Sequence, residues 1–334
     1  MRILLIVVIL AAAGWAGYWV LGSRSVERGL QGWFAAREAE GWSVHVDAID
    51  TIGFPSRFDT TLTALDLADP ETGVAWSAPF FQILALSYKP HHVIAVWPDQ
   101  QRLATPNQKI DITSETLRGS VVFEPGPSLA LERSTVEFSR IGLASTADWR
   151  AALDGGQLAL RRTPLAENSY DLSFEARDLT LPSRLTEMLA RTGLGSETAQ
   201  GVRLEASVVF DRPWDRFAIE DRRPQPTRID LTLASATWGE LDLKLAGELE
   251  VDARGLPTGE ITVKATNWRE MLDLAEHSGL LAPQIRPLME RGLQTLAGLT
   301  GNKKTLDLPL TFRDGQVVLG GFLPVGPAPV LRLR

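Results

Sequence analysis

Four histidines, His45, His91, His92 and His277, are the first residues to test for chemistry in a chain of 334 residues that has no cysteine. The missing thiols exclude disulfides, thiolate nucleophiles, sulfur-ligated zinc and a lipid-bearing cysteine. A metal would need imidazoles on one side of an element. His91 and His92 are adjacent, and neighbours on a strand point to opposite faces, so they are read as polar surface residues and no metal site is expected. GLTGNKKT (298–305) superficially resembles a phosphate loop, yet it lacks the required glycine-lysine spacing and follows a helix rather than opening one. GLGSETAQG (193–201) fails both as a dinucleotide fingerprint and as a nucleophile elbow. The loop DRPWDRFAIEDRRPQP (211–226) holds Asp211, Asp215, Glu220 and Asp221 among arginines. Paired carboxylates can do acid/base work or hold calcium, but interleaved arginines more simply make a solvated, ion-paired loop. No catalytic residue and no cofactor are assigned, and an enzyme is not expected.

The elements around these residues are more legible. Net charge is -7, and no lysine-arginine cluster stands out, so nucleic acid is not an expected partner. Ile3 to Leu21 carries no charge over about 28 Å of helix, close to the thickness of a bilayer's hydrocarbon. Tyr18 and Trp19 stand near its far end, where amphipathic rings favour the interface. The alternative is a cleaved signal peptide with Gly14-Trp15-Ala16 as an imperfect site; the apolar run continues past it through Leu21, which favours an uncleaved anchor. Residues 1–22 are therefore expected to be a transmembrane anchor and 23–42 an amphipathic helix, from the spacing of Val26, Leu30, Trp33 and Phe34.

From residue 43 to 334 period two dominates, as in RIDLTLA (228–234) and ELDLKLAGELEV (240–251). Similar runs occur at 60–67, 83–88, 93–97, 110–123, 129–138, 158–161, 172–176, 204–210, 261–265 and 306–312. One polar face argues for antiparallel pairing. The fold expected is α+β and mostly β: a large curved antiparallel sheet or sheets crossed by a few helices, behind one N-terminal transmembrane helix. Helices are predicted at 147–153, 184–191, 268–280 and 283–299. A weak internal repeat joins 172–211 to 259–314, each running strand, helix, strand. Asp314-Gly315 predicts a type I′ hairpin turn, and the glycines of ALDGGQLAL (152–160) a related one.

GFPSRFD (53–59), GELEVDARGLPTGEITVKATNW (247–268) and LPLTFRDGQVVLGGFLPVGPAP (308–329), behind a single anchor, resemble the bacterial family called domain of unknown function 2125. The resemblance implies exported proteins fixed to the inner membrane. The strands around Gly247 to Ala265 are more loosely similar to envelope proteins of the AsmA type, whose curved sheets offer apolar grooves to lipids.

The expectation is thus a single-pass inner-membrane protein, held through residues 3–21, with its bulk in the periplasm and a lipid or other apolar ligand on a curved sheet. The alternative is a structural or protein-interaction module of the envelope with a filled core. Phe54 and Phe58 are the ligand-site candidates, as rings that close one end of an apolar face; the other reading has both filling a continuous core.

Overall fold

The apolar run and the segment after it fold as one continuous helix, α1 (Arg2–Ala39), in a computed structural model that describes residues 1–180, 198–220, 223–277, 283–284, 286–299, 304–321 and 323–333. Its first part reaches a mean hydropathy of 2.3 over 18 residues and is long and apolar enough to cross a membrane. Ile3 to Leu10 are all exposed. The second half carries Leu30 and Phe34 onto a sheet. The chain forms two compact units, Met1–Pro125 with Val136–Asp148, which contains α1, and Gly126–Thr135 with Trp149–Arg334. Among the described residues eighteen strands pair antiparallel, so the mostly β, α+β architecture is as the alternation predicts.

In the first unit β1 (Ser43–His45) and β2 (Ala48–Ile52) lie in succession along one edge of β3 (Arg57–Asp69), and β4 (Val74–Leu86) takes the other edge. β4 is shared by β5 (Lys89–Val96) and β6 (Gln100–Thr105). β7 (Gln108–Thr113) pairs with β6 and with residues 142–145 of β9 (Leu131–Ser145), and β8 (Thr116–Phe123) pairs with β5. The single strand predicted over 110–123 is broken at Ser114, whose N–H donates to Asp99. Leu62 and Leu65 are three apart yet both pack with Phe34 of α1. Strict alternation would part them; Ala64, at φ 51°, interrupts the pleat.

The second unit is a meander of nine strands, each antiparallel to the next: β10 (Arg150–Arg162), β11 (Ser169–Thr180), β12 (Thr198–Phe210), β13 (Pro226–Trp238), β14 (Leu241–Val251), β15 (Pro257–Thr266), β16 (Thr305–Arg313), β17 (Gln316–Leu319) and β18 (Leu323–Pro327). Two helices, α2 (Trp268–His277) and α3 (Arg286–Leu299), connect β15 to β16. Pro287 falls in the first turn of α3, where its missing donor costs little. The compared segments 172–211 and 259–314 leave the meander at the same end, since Thr180 pairs with Thr198 and Thr266 with Thr305. The helix predicted at 184–191 lies outside the described residues.

The helix predicted over 147–153 is a correction. Asp148 turns the chain at φ 59°, and β10 then runs from Arg150 straight through Gly155 and Gly156, which pair with Arg177 and Ala176. The Ala-Ala-Leu run has helical propensity, but a full-length ladder with β11 outweighs that weak preference. The Gly-Gly turn expected there is likewise strand. The other turn is present: Asp314 and Gly315 have φ of 54° and 71°, and Arg313 pairs with Gln316 across them.

Candidate functional site

Register gives the second unit one apolar and one charged face. Along one row Leu160, Leu172, Ala206, Leu231, Gly247, Ile261 and Leu310 stand opposite one another from strand to strand, and in the next row Leu158, Phe174, Leu204, Ala234, Leu245, Val263 and Leu308 do the same. Such cross-strand pairs are the unit of sheet stabilisation. Seven strands, six spacings of about 4.8 Å, make each row about 29 Å long.

Both ends of this face are closed. At one end Trp268, Leu272, Leu293 and Ala297 of α2 and α3 pack on Ala265, Leu306 and Leu308. At the other, Leu249, Ile261, Phe312 and Val317 are covered by Ala328 and Leu331 of the C-terminal segment. There too Tyr170, 1% exposed, donates to the Leu131 carbonyl and meets Phe210, which meets Trp214. Between the two ends Leu160, Leu172, Phe174, Leu204, Leu231 and Leu245 are only half-buried, and Leu158 is 39% exposed. Fully apolar and incompletely covered, this strip is suited to methylene chains rather than to bond-making chemistry.

The opposite face is ionic. Arg161 pairs with Asp171, Arg203 with Glu205, Lys244 with Asp242, and Arg228 with Glu248 and Glu250. These exposed pairs contribute solubility more than stability. A cavity of about 420 Å³ is bordered on that face by Arg161, Asp171, Ser173, Glu205 and Ser207, together with Leu160 and Leu172 of the apolar row.

Phe54 and Phe58 belong to the first unit, Phe54 in the loop between β2 and β3, which contains a cis Phe54–Pro55 peptide bond, and Phe58 at the start of β3. Both meet α1. Phe58 is 5% exposed, lies against Gly22 and has Tyr18 and Trp19 as ring neighbours. Phe54 is 57% exposed and meets Trp19 edge-on. The indole N–H groups of Trp15 and Trp19 donate to the carbonyls of Pro55 and Arg57 at 2.9 and 2.8 Å, and the Tyr18 hydroxyl donates to Ser87 at 2.6 Å. Sequence reasoning recognised the rings on both sides but not that they meet, because 38 to 69 residues separate the bonded partners.

The other singled-out polar groups lie apart. His92 Nε2 is 2.9 Å from Ser120 Oγ, and His45 is 3.1 Å from Asp47. Asp211 accepts from the Gln225 N–H and Asp215 from the Phe217 N–H, so these carboxylates tie down their own loop. Asp221 and residues 193–197 and 300–303 lie outside the described residues. Among the described residues no three histidines or carboxylates gather where they could hold a metal.

Compared with known proteins, residues 19–329 match the family model described as "Uncharacterized protein conserved in bacteria (DUF2125)". No curated protein and no solved structure matches the chain.

Proposed function

The chain belongs to the DUF2125 family of uncharacterised bacterial proteins, and we propose that it is an exported protein, anchored in the inner membrane by α1, that holds an apolar ligand with a long methylene chain. The ligand lies on the half-buried strip of the second unit. The observation that carries this reading is the pair of cross-strand apolar rows left incompletely covered between two closed ends. A filled core would bury Leu160, Leu172 and Leu204 as fully as Leu306 and Leu308 are buried by α2 and α3. The role is binding rather than catalysis. The loose AsmA-type likeness of the strands around Gly247 points the same way.

Retention of α1 is supported by its packing: Trp15, Tyr18 and Trp19 bond to the first unit, and Leu30 and Phe34 pack into its core. Cleavage near Ala16 would remove the Trp15 bond. In this reading the body that follows α1 stands in the periplasm.

The test compares lipids extracted from the purified full chain with those from Leu204→Asp, whose anchor is untouched. A lipid class present in the first and lost from the second, at equal folding by circular dichroism, is expected. Identical lipid profiles would leave the structural module as the reading.

A further inference from the structure

Where the β2–β3 loop meets α1, three large side chains face outward: Ile52 at 67% exposure, Phe54 at 57% and, in the β4–β5 turn, Tyr88 at 58%. The loop and the turn are one surface, because Ser87 donates its N–H to Ser56 and its hydroxyl to Pro55. We infer that this surface is a second membrane contact, seated in the periplasmic leaflet beside the anchor; the inference rests on the reading of α1 as a bilayer-spanning helix.

Depth along α1 carries it. On a helix rising about 1.5 Å per residue, Trp15 stands about 18 Å beyond Ile3, whereas a hydrocarbon core is about 30 Å thick. A bilayer with one boundary at Ile3 has the other near Ser23, about 12 Å past the level at which Trp15 holds Pro55. The loop is therefore below that boundary at its tip. From there the chain climbs: Pro55 is bonded to Trp15, Arg57 to Trp19, and Phe58 packs on Gly22. On the entering side the Thr51 N–H is held by Glu27, about three turns beyond Trp15. The residues at the deepest levels, Phe54 and Pro55, are apolar, as is Ile52 on the way down from the level of Glu27. The charges that open β3, Arg57 and Asp59, pair with each other near the level of the aromatic belt, where a cationic stem can reach the headgroups.

The alternative arrangement, with the loop in water, would withdraw Trp15 to Leu21 from the bilayer. Only Ile3 to Gly14 would then remain, 12 residues or about 18 Å, far short of a span. The wedge thus fills hydrocarbon that the docked half of α1 shares with the loop.

The chain has no cysteine, so single substitutions give unique labelling sites. Nitroxide labels at Phe54→Cys, Ile52→Cys and Tyr88→Cys in the full chain, reconstituted in phosphatidylethanolamine/phosphatidylglycerol vesicles, report depth by collision with oxygen and with a water-soluble nickel chelate. Leu10→Cys marks the bilayer and Glu71→Cys, in the β3–β4 turn, marks water. Positions 52, 54 and 88 are expected to resemble Leu10, with at least a fivefold lower nickel collision rate than position 71. If they match position 71 while Leu10 is protected, the wedge is overturned and the anchor stands. If position 10 is also open to nickel, both are overturned.

Discussion

A Cβ placed on Gly22 of α1 would lie 2.6 Å from Cζ of Phe58. The absence of a side chain at Gly22 is what lets the end of the apolar helix close on the β2–β3 loop, whereas Gly14 and Gly17 have nothing within 4 Å. Gly22→Leu is expected to destabilise the first unit by about 1–3 kcal/mol through overpacking, and Gly14→Leu to leave it unchanged. Denaturant unfolding of the full chain in detergent, followed by tryptophan fluorescence, checks both.

The two phenylalanines separate in the same measurement. Phe58→Ala removes a buried ring and is expected to cost about 3–5 kcal/mol. Phe54→Ala touches an exposed ring and stays within about 1 kcal/mol. Similar costs for the two would contradict their placement.

At the other end of the chain, Gly315→Val puts a β-branched residue at φ 71° in the turn that sets the β16–β17 register. It is expected to lower the melting temperature more than His91→Ala, because His91 is not a core residue. Equal melting temperatures would remove the hairpin from the account of stability.

Much of this was legible in advance where burial is one-sided. The alternation in RIDLTLA and ELDLKLAGELEV marks β13 and β14 because one face of each meets apolar neighbours and the other meets water. Gly247 and Gly259 fit the same logic, since a Cβ at either would come within 2.3 Å of a carbonyl oxygen of the paired strand. What stayed hidden depends on distant partners. β10 reads as helix and turn until β11 is beside it. The two units share β9, whose residues 131–135 and 136–145 belong to different units with no break in pattern. Trp19 reads as an interface ring and Trp15 as the middle of an imperfect cleavage site, because nothing local reveals that Arg57 and Pro55 accept their N–H groups.

Acid sensitivity follows from the β14–β15 reversal. Asp252 accepts from the backbone N–H of Leu256 and of Arg254, and the Leu256 bond foremost holds its carboxyl below the usual range. A carboxyl whose native pKa is depressed contributes stability that is present above its unfolded value of about 3.9 and is lost as pH falls through the native value. Asp252→Asn is therefore expected to melt below the unsubstituted chain at pH 7, with the gap narrowing below about pH 4. A gap constant across that range would show that the charge of Asp252 plays no part.

Trp268, 2% exposed, anchors α2 over the end of the apolar face. Trp268→Ala is expected to cost about 3–5 kcal/mol and to raise amide exchange in β16 near Leu306 and Leu308. Unchanged exchange there would mean that the helices do not close the face.

The central claim is that the half-buried strip, and not the charged face, meets a lipid. Leu172 and Ser173 are neighbours on β11 with opposite directions: Leu172 lies in the apolar row and Ser173 is exposed on the other face. A photo-reactive benzoylphenylalanine at each position, irradiated in the full chain in native membranes and analysed by mass spectrometry, is the most direct measurement. The account predicts a lipid adduct at position 172 and none at 173. No adduct at 172, or equal adducts at both, would contradict it.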